Sequence, residues 1–277
     1  MRPATRATPA KATLRTRFVA RAVAAVIVVV APGLAAATGN EASAAALRAS
    51  QAAIGRGTSD HAFIDQHGQP LRLAELRGRP LVVSLVFTNC YVVCSGATLN
   101  LRDVVRIARE TLGDRSFGVL TVGFDSANDT PSRMRAYGRD RGIVDPEWRF
   151  ASADAATIRR FTDEIGFTWA PSPRGFDHVT QVTVLDADGT VVQQVYGEAF
   201  APPELVEPLK QVILGRSFER ASLRGLIERV RLYCSVYDPA ARRYRFDVSM
   251  FAAALPPLLV LGMIGGAIVL AGRRRKS

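Results

Sequence analysis

Two runs, LVVSLVF (81–87) and FGVLTVGF (117–124), constrain the fold of this chain more than any other feature. Both are short, rich in β-branched residues and predominantly apolar, with Ser84 and Thr121 their only polar side chains. A strand with one wet face alternates apolar and polar residues, so a continuous run of this length reads as a strand covered on both faces. Between them Leu99, Leu101, Val104, Val105, Ile107 and Ala108 recur at helical spacing. Thr130 followed by Pro131 predicts the cap and first turn of a second helix. WRFASA (148–153) predicts a third strand, and DAATIRRFTDEIGF (154–167) a helix capped by Asp154. HVTQVTVLDADGTVVQQVYG (178–197) reads as a hairpin turning at DADG, and APPELVEPLKQVILG (201–215) as a closing helix. HAFIDQHGQPLRL (61–73) reads as a shorter hairpin turning at His67-Gly68. Strands alternating with helices, plus a late hairpin, predict an α/β domain: a mixed sheet flanked by helices.

The formal charge of +11 is concentrated at the chain ends. Six bases (Arg2, Arg6, Lys11, Arg15, Arg17, Arg21) precede the first acid, Glu41, and Arg273, Arg274, Arg275 and Lys276 follow the last acid, Asp247. Setting these ten aside leaves 26 of 36 bases against 25 acids, so the body has no basic footprint for nucleic acid. Both basic ends adjoin apolar segments. Residues 1–40 read as a signal peptide or N-terminal anchor, with AVAAVIVVVAPGLAAATG (22–39) as its apolar part, and 41–57 as a linker. Residues 250–272, uncharged and long enough to cross a bilayer, predict a transmembrane helix, with the basic end 273–277 cytoplasmic. The domain at 58–215 and the tail at 216–249, its first half read as an amphipathic helix, then lie on the extracytoplasmic face of the cell membrane.

Cys90 and Cys94 lie where LVVSLVF runs into the first helix. A helix N-terminus lowers thiol pKa values, and one helical turn of spacing can bring two sulfurs to one side. Three readings follow: a disulfide, a redox pair, or two soft ligands suited to Cu(I) or zinc. The loop is too short for a disulfide to stabilise much through chain entropy. Of the three histidines, His61 and His67 flank the first hairpin and read as solvated. His178 follows a loop rich in Pro and Gly at the mouth of the late hairpin, with Asp177 beside it to position hydrogen bonds. It is the candidate third ligand.

FTNCYVVC (87–94), VGFDSANDTP (122–131) and FDHVTQVTVLDADGTVV (176–192), in this order and spacing, resemble the Sco/SenC family across residues 61–215. The resemblance implies a membrane-tethered, thioredoxin-like protein that binds copper at Cys90, Cys94 and His178. The expected cargo is Cu(I), with Cu(II) left open, and the expected partner is an apo cytochrome c oxidase subunit or another cuproprotein. The alternative is a thiol–disulfide oxidoreductase in which Cys90 and Cys94 are the redox pair, acting on a partner's cysteines. Asp125, Asp129, Thr130 and Pro131 match a family loop segment, Asp125 with a loop-shaping role rather than that of a ligand. The family commonly has Pro after each cysteine, where this chain has Tyr91 and Ser95; the Ser95 hydroxyl can cap the helix instead. A C-terminal membrane segment also departs from the usual N-terminal anchor. A peroxidase would place Pro before Thr88 and Cys90, and here Ser84 stands in that position. Cys234, among Tyr233, Tyr237 and Tyr244, reads as part of a membrane-interface stretch, the alternatives being a fourth copper contact or an intermolecular disulfide.

Overall fold

The computed structural model describes residues 41–90, 93–173, 175–216 and 235–246, together with Leu232 and Met263. The two continuous runs form β3 (Leu81–Val86) and β4 (Gly118–Gly123), every residue of both buried. They pair in parallel, as β4 does with β5 (Trp148–Ser152). Parallel neighbours need a crossover, and the helices α2 (Val93–Leu112) and α3 (Pro131–Asp140) provide the two crossovers. On one side the sheet is completed antiparallel by the hairpin of β1 (Ala62–Asp65) and β2 (Pro70–Arg72). On the other it is completed by β8 (Gln181–Leu185) and β9 (Val191–Tyr196), giving the order β2-β1-β5-β4-β3-β8-β9. This is the expected mixed sheet.

Period-two alternation explains why both faces of β3 are apolar. Val82 and Val86 pack into a core beneath α2, α3 and α5 (Pro202–Arg216), with Leu101, Val105, Met134, Trp148 and Leu205. Leu81, Val83 and Leu85 point to a second core with Phe63, Leu120, Val122, Phe161 and Phe167. That face is covered by α4 (Ala155–Glu164). Thr130 caps α3 by accepting from Arg133 N–H, and Asp154 caps α4 by accepting from the Ala156 and Thr157 amides. The one polar residue of β3, Ser84, is bonded to Thr121 at 2.8 Å, and Trp148 Nε1 donates to the same hydroxyl at 2.9 Å.

Several expectations are corrected. His61 is 5 % exposed, not solvated: its Nε2 meets Glu164 Oε2 at 2.7 Å, and its ring packs edge-on against Phe161. His67 is exposed as expected. Part of the linker is a helix, α1 (41–51), held to the domain by Ser50 Oγ and Gln51 Nε2 on the Tyr196 hydroxyl. Gly166, at φ +67, lets α1 approach: a Cβ there would lie 2.6 Å from the Ala49 carbonyl oxygen. The late hairpin starts at Gln181 rather than His178. Residues 169–178 form a separate hairpin, β6 (Trp169–Ser172) and β7 (Gly175–His178). A fourth hairpin, β10 (Ser235–Asp238) with β11 (Arg243–Phe246), occupies the tail and docks on α5, Tyr244 OH donating to Glu207 Oε1. Residues 1–40, the amphipathic first half of the tail and, apart from Met263, the segment 250–272 lie outside the described residues. Among the described residues no helix is long and apolar enough to cross a membrane.

Candidate metal centre

β3 ends at Val86, and the next residue on its lower face, Phe87, continues the 81-83-85 alternation into the second core. The chain then turns, Cys90 N–H donating to the Phe87 carbonyl at 3.1 Å. Cys90 is half-buried and packs against that core. Cys94 lies in the first turn of α2. Its side chain, with residues 91–92, lies outside the description.

His178 is the last residue of β7 and shares a strand face with Phe176. Its ring lies edge-on to Phe87 and Phe124, with centroids at 6.2 and 5.5 Å, and tilted to Phe167 at 5.4 Å. Phe87 and Phe167 belong to the same core that Cys90 packs against. His178 also lines a small cleft with Ala97 and Thr98 of α2, so the imidazole stands beside the early turns of the cysteine helix. Asp177, expected to position hydrogen bonds, is exposed and points to the opposite face of the strand.

The imidazole has a defined tautomer. Nδ1 lies 3.1 Å from the Val179 carbonyl, which can only accept, so Nδ1 carries the proton and Nε2 presents its lone pair. Burial pushes the His178 pKa below its ordinary value, outweighing the opposing pull of the Val179 carbonyl and the Asp177 carboxylate. A neutral imidazole with its other nitrogen tied to a carbonyl is the form that binds a soft or borderline metal. No group of three metal-binding side chains is complete among the described residues.

The cysteine loop is held from the neighbouring β4–α3 segment. Phe124 N–H donates to the Val86 carbonyl, extending the parallel pairing, so the two loops leave the sheet side by side. Asp129, 1 % exposed, then reaches across: its Oδ1 accepts from both the amide and the hydroxyl of Thr88, each at 2.7 Å, and its Oδ2 accepts from Asp125 N–H at 2.9 Å. Burial raises the Asp129 pKa against these three bonds. Asp125 shapes the same loop, its Oδ2 accepting from Asn128 Nδ2. Gly123 makes this approach possible, since a Cβ there would lie 2.4 Å from that of Asp129. Arg133 Nη1 donates to Asn89 Oδ1 at 3.0 Å, and Arg141 Nη2 to Ser95 Oγ at 2.6 Å. The Ser95 hydroxyl, expected to serve the helix cap, is thus engaged by a side chain from α3's far end. Asp129 was marked by the VGFDSANDTP motif. Arg133 and Arg141 carried no local mark, because their partners lie more than forty positions away.

A model of the SCO1/SenC family matches residues 49–214. The SCO1 protein homolog of Bacillus subtilis is 22% identical over 145 residues, covering 50% of this chain and 74% of its own length. Among solved structures, BsSco, a Sco-family cytochrome c oxidase assembly protein with an identified disulfide switch, superposes with TM-score 0.52 at 17% identity, over 57% of this chain and 94% of that one. The copper-bound ScoI of Arabidopsis thaliana superposes with TM-score 0.50 at 16% identity, over 57% of this chain and 97% of that one. At these identities the structures show the shared thioredoxin-like fold.

Proposed function

The chain belongs to the SCO1/SenC family, and on that premise we propose that it binds Cu(I) through Cys90, Cys94 and His178 and delivers it to the copper site of a respiratory cytochrome c oxidase. The observation that carries the reading is His178: a neutral imidazole, its Nδ1–H tied to Val179, held on the aromatic cluster that also receives Cys90. Two thiolates and one imidazole form a soft donor set, which favours Cu(I) over hard cations. Copper is cargo. A partner's thiolates displace the protein's ligands one at a time, so the metal is never released to water. The exposed side of the cysteine loop, where Asn89 is exposed and Cys90 half-buried, is where such a partner approaches. The apolar segment 250–272 supports a domain tethered on the extracytoplasmic face of the membrane, with the basic end cytoplasmic.

The test is Cu(I) stoichiometry and X-ray absorption on the reduced protein, wild type against His178→Ala. One copper per chain in an S,S,N environment, weakened in the variant, is expected. No binding, or binding indifferent to His178, refutes the reading. The position of Cys90 at a strand-to-helix junction also suits thiol–disulfide exchange with a partner. In that case His178→Ala would retain function while Cys90→Ser abolished it.

A further inference from the structure

Thr88 and Asn89, immediately before Cys90, and Ser95, immediately after Cys94, are all held by residues 129–141. On the first side Asp129 binds both donors of Thr88. On the second, Arg141 is itself fixed: its guanidinium stacks 3.4 Å over the Tyr137 ring, and its Nη1 donates to the Tyr137 carbonyl at 3.0 Å. Tyr137 is buried and its hydroxyl is bonded to Thr98 of α2 at 2.8 Å. The arginine that grips Ser95 is therefore anchored to the body of the domain, not to solvent. Thr88 and Asn89 on one side and Ser95 on the other, all gripped by one packed segment, cannot easily change their separation.

We propose that residues 129–141 form a clamp that sets the separation of Cys90 and Cys94, with Arg141 as the positioning residue for the Cys94 side through Ser95. Two thiolates sharing one metal at bonds near 2.3 Å sit about 4 Å apart, whereas a disulfide needs about 2.05 Å. A clamp that resists closure favours the metal-spanning arrangement over the disulfide. Proline at position 95 would stiffen the same first turn without needing Arg141, because its ring fixes φ and its missing N–H costs nothing there.

The test uses the full chain in detergent, with two readouts. The first is the Cys90–Cys94 equilibrium with glutathione, quenched by alkylation and read on the peptides carrying those residues. Two thiols give up two electrons and two protons to glutathione disulfide, which becomes two glutathione thiols. The second is Cu(I) retention against a chelator, and it alone rests on the copper reading. Ser95→Ala, which removes only a hydroxyl, and Arg141→Ala are each expected to shift the first equilibrium toward the disulfide by about tenfold, or about 30 mV for this two-electron couple. Both are expected to weaken Cu(I) retention. Adding Ser95→Pro to Arg141→Ala restores both readouts. Unchanged equilibria in Ser95→Ala at an unchanged denaturant midpoint, or no rescue by proline, overturn the clamp. If the wild type retains no Cu(I), the copper reading falls and the glutathione readout alone decides the clamp.

Discussion

Gly175→Ala tests how His178 is held. Gly175 opens β7 at φ +115, a conformation L-residues rarely adopt, and a Cβ there would lie 2.8 Å from Phe87 Cε2 and 3.1 Å from Cζ. Ordinary carbon contacts are about 3.5–4.0 Å, so the methyl overlaps the ring by roughly half an ångström or more. Backbone strain of about 1–3 kcal/mol and overpacking of about 1–3 kcal/mol add to roughly 2–6 kcal/mol if nothing moves. The cheaper response is for β6–β7 to lift from Phe87. What opposes lifting is the edge-on packing of Phe176 on Phe87 and Phe124, at 5.3 and 5.4 Å, and of His178 on the same rings. Each such pair is worth about 0.5–1.5 kcal/mol beyond its buried area. The variant is therefore expected to lose about 2–4 kcal/mol in reversible urea unfolding under reductant. Faster amide exchange is expected in 169–178 than in β3 and β4, with the His178 ring resonances shifted. Stability within about 0.5 kcal/mol of wild type, the ordinary range for an inconsequential surface change, together with unmoved His178 resonances, would refute the account.

Asp129→Ala leaves the Thr88 and Asp125 amides without their acceptor and should cost about 2–4 kcal/mol by chemical unfolding; Asp129→Asn, which keeps Oδ1, should cost roughly half that. Thr121→Val strands the buried Trp148 Nε1–H and should cost about 1–3 kcal/mol, seen also as a shift in tryptophan emission. Burial alone would raise the Glu164 carboxyl, but bonds from Ser59 and His61 outweigh it and hold it below its ordinary 4.5. A depressed carboxyl stabilises above its unfolded pKa, and that contribution is lost as pH falls through the lower folded value. Glu164→Gln should flatten the acid limb of a stability–pH profile below about pH 4.5, and an unchanged limb would exclude the pair as its source.

Much of the fold was legible because it depends on local pattern. Runs 81–87 and 117–124 are apolar on both faces, which only a covered strand tolerates, and Thr130-Pro131 and Asp154 carry helix caps in their own chemistry. Cys90, Cys94 and His178 were legible as residues and as a family pattern. Their arrangement was not. The separate hairpin 169–178 carries little local signal because its strands WAPS and GFDH are only four residues each and the first contains Pro171, and packing of Phe176 and His178 on Phe87 and Phe124 explains them as strands. His61 read as solvated because nothing near it in sequence announces Glu164, about a hundred positions on.

The sequence by itself determined the order of the central strands and their crossover helices, the candidate soft ligands and the charge balance of the body, since composition, periodicity and caps act within a few residues. Tertiary structure alone decided which nitrogen of His178 is available, that Asp129 grips Thr88, and that Arg141 reaches Ser95. Parallel pairing of β3 with β4 brings their following loops together, and hydrogen bonds formed across that gap join residues no local pattern connects.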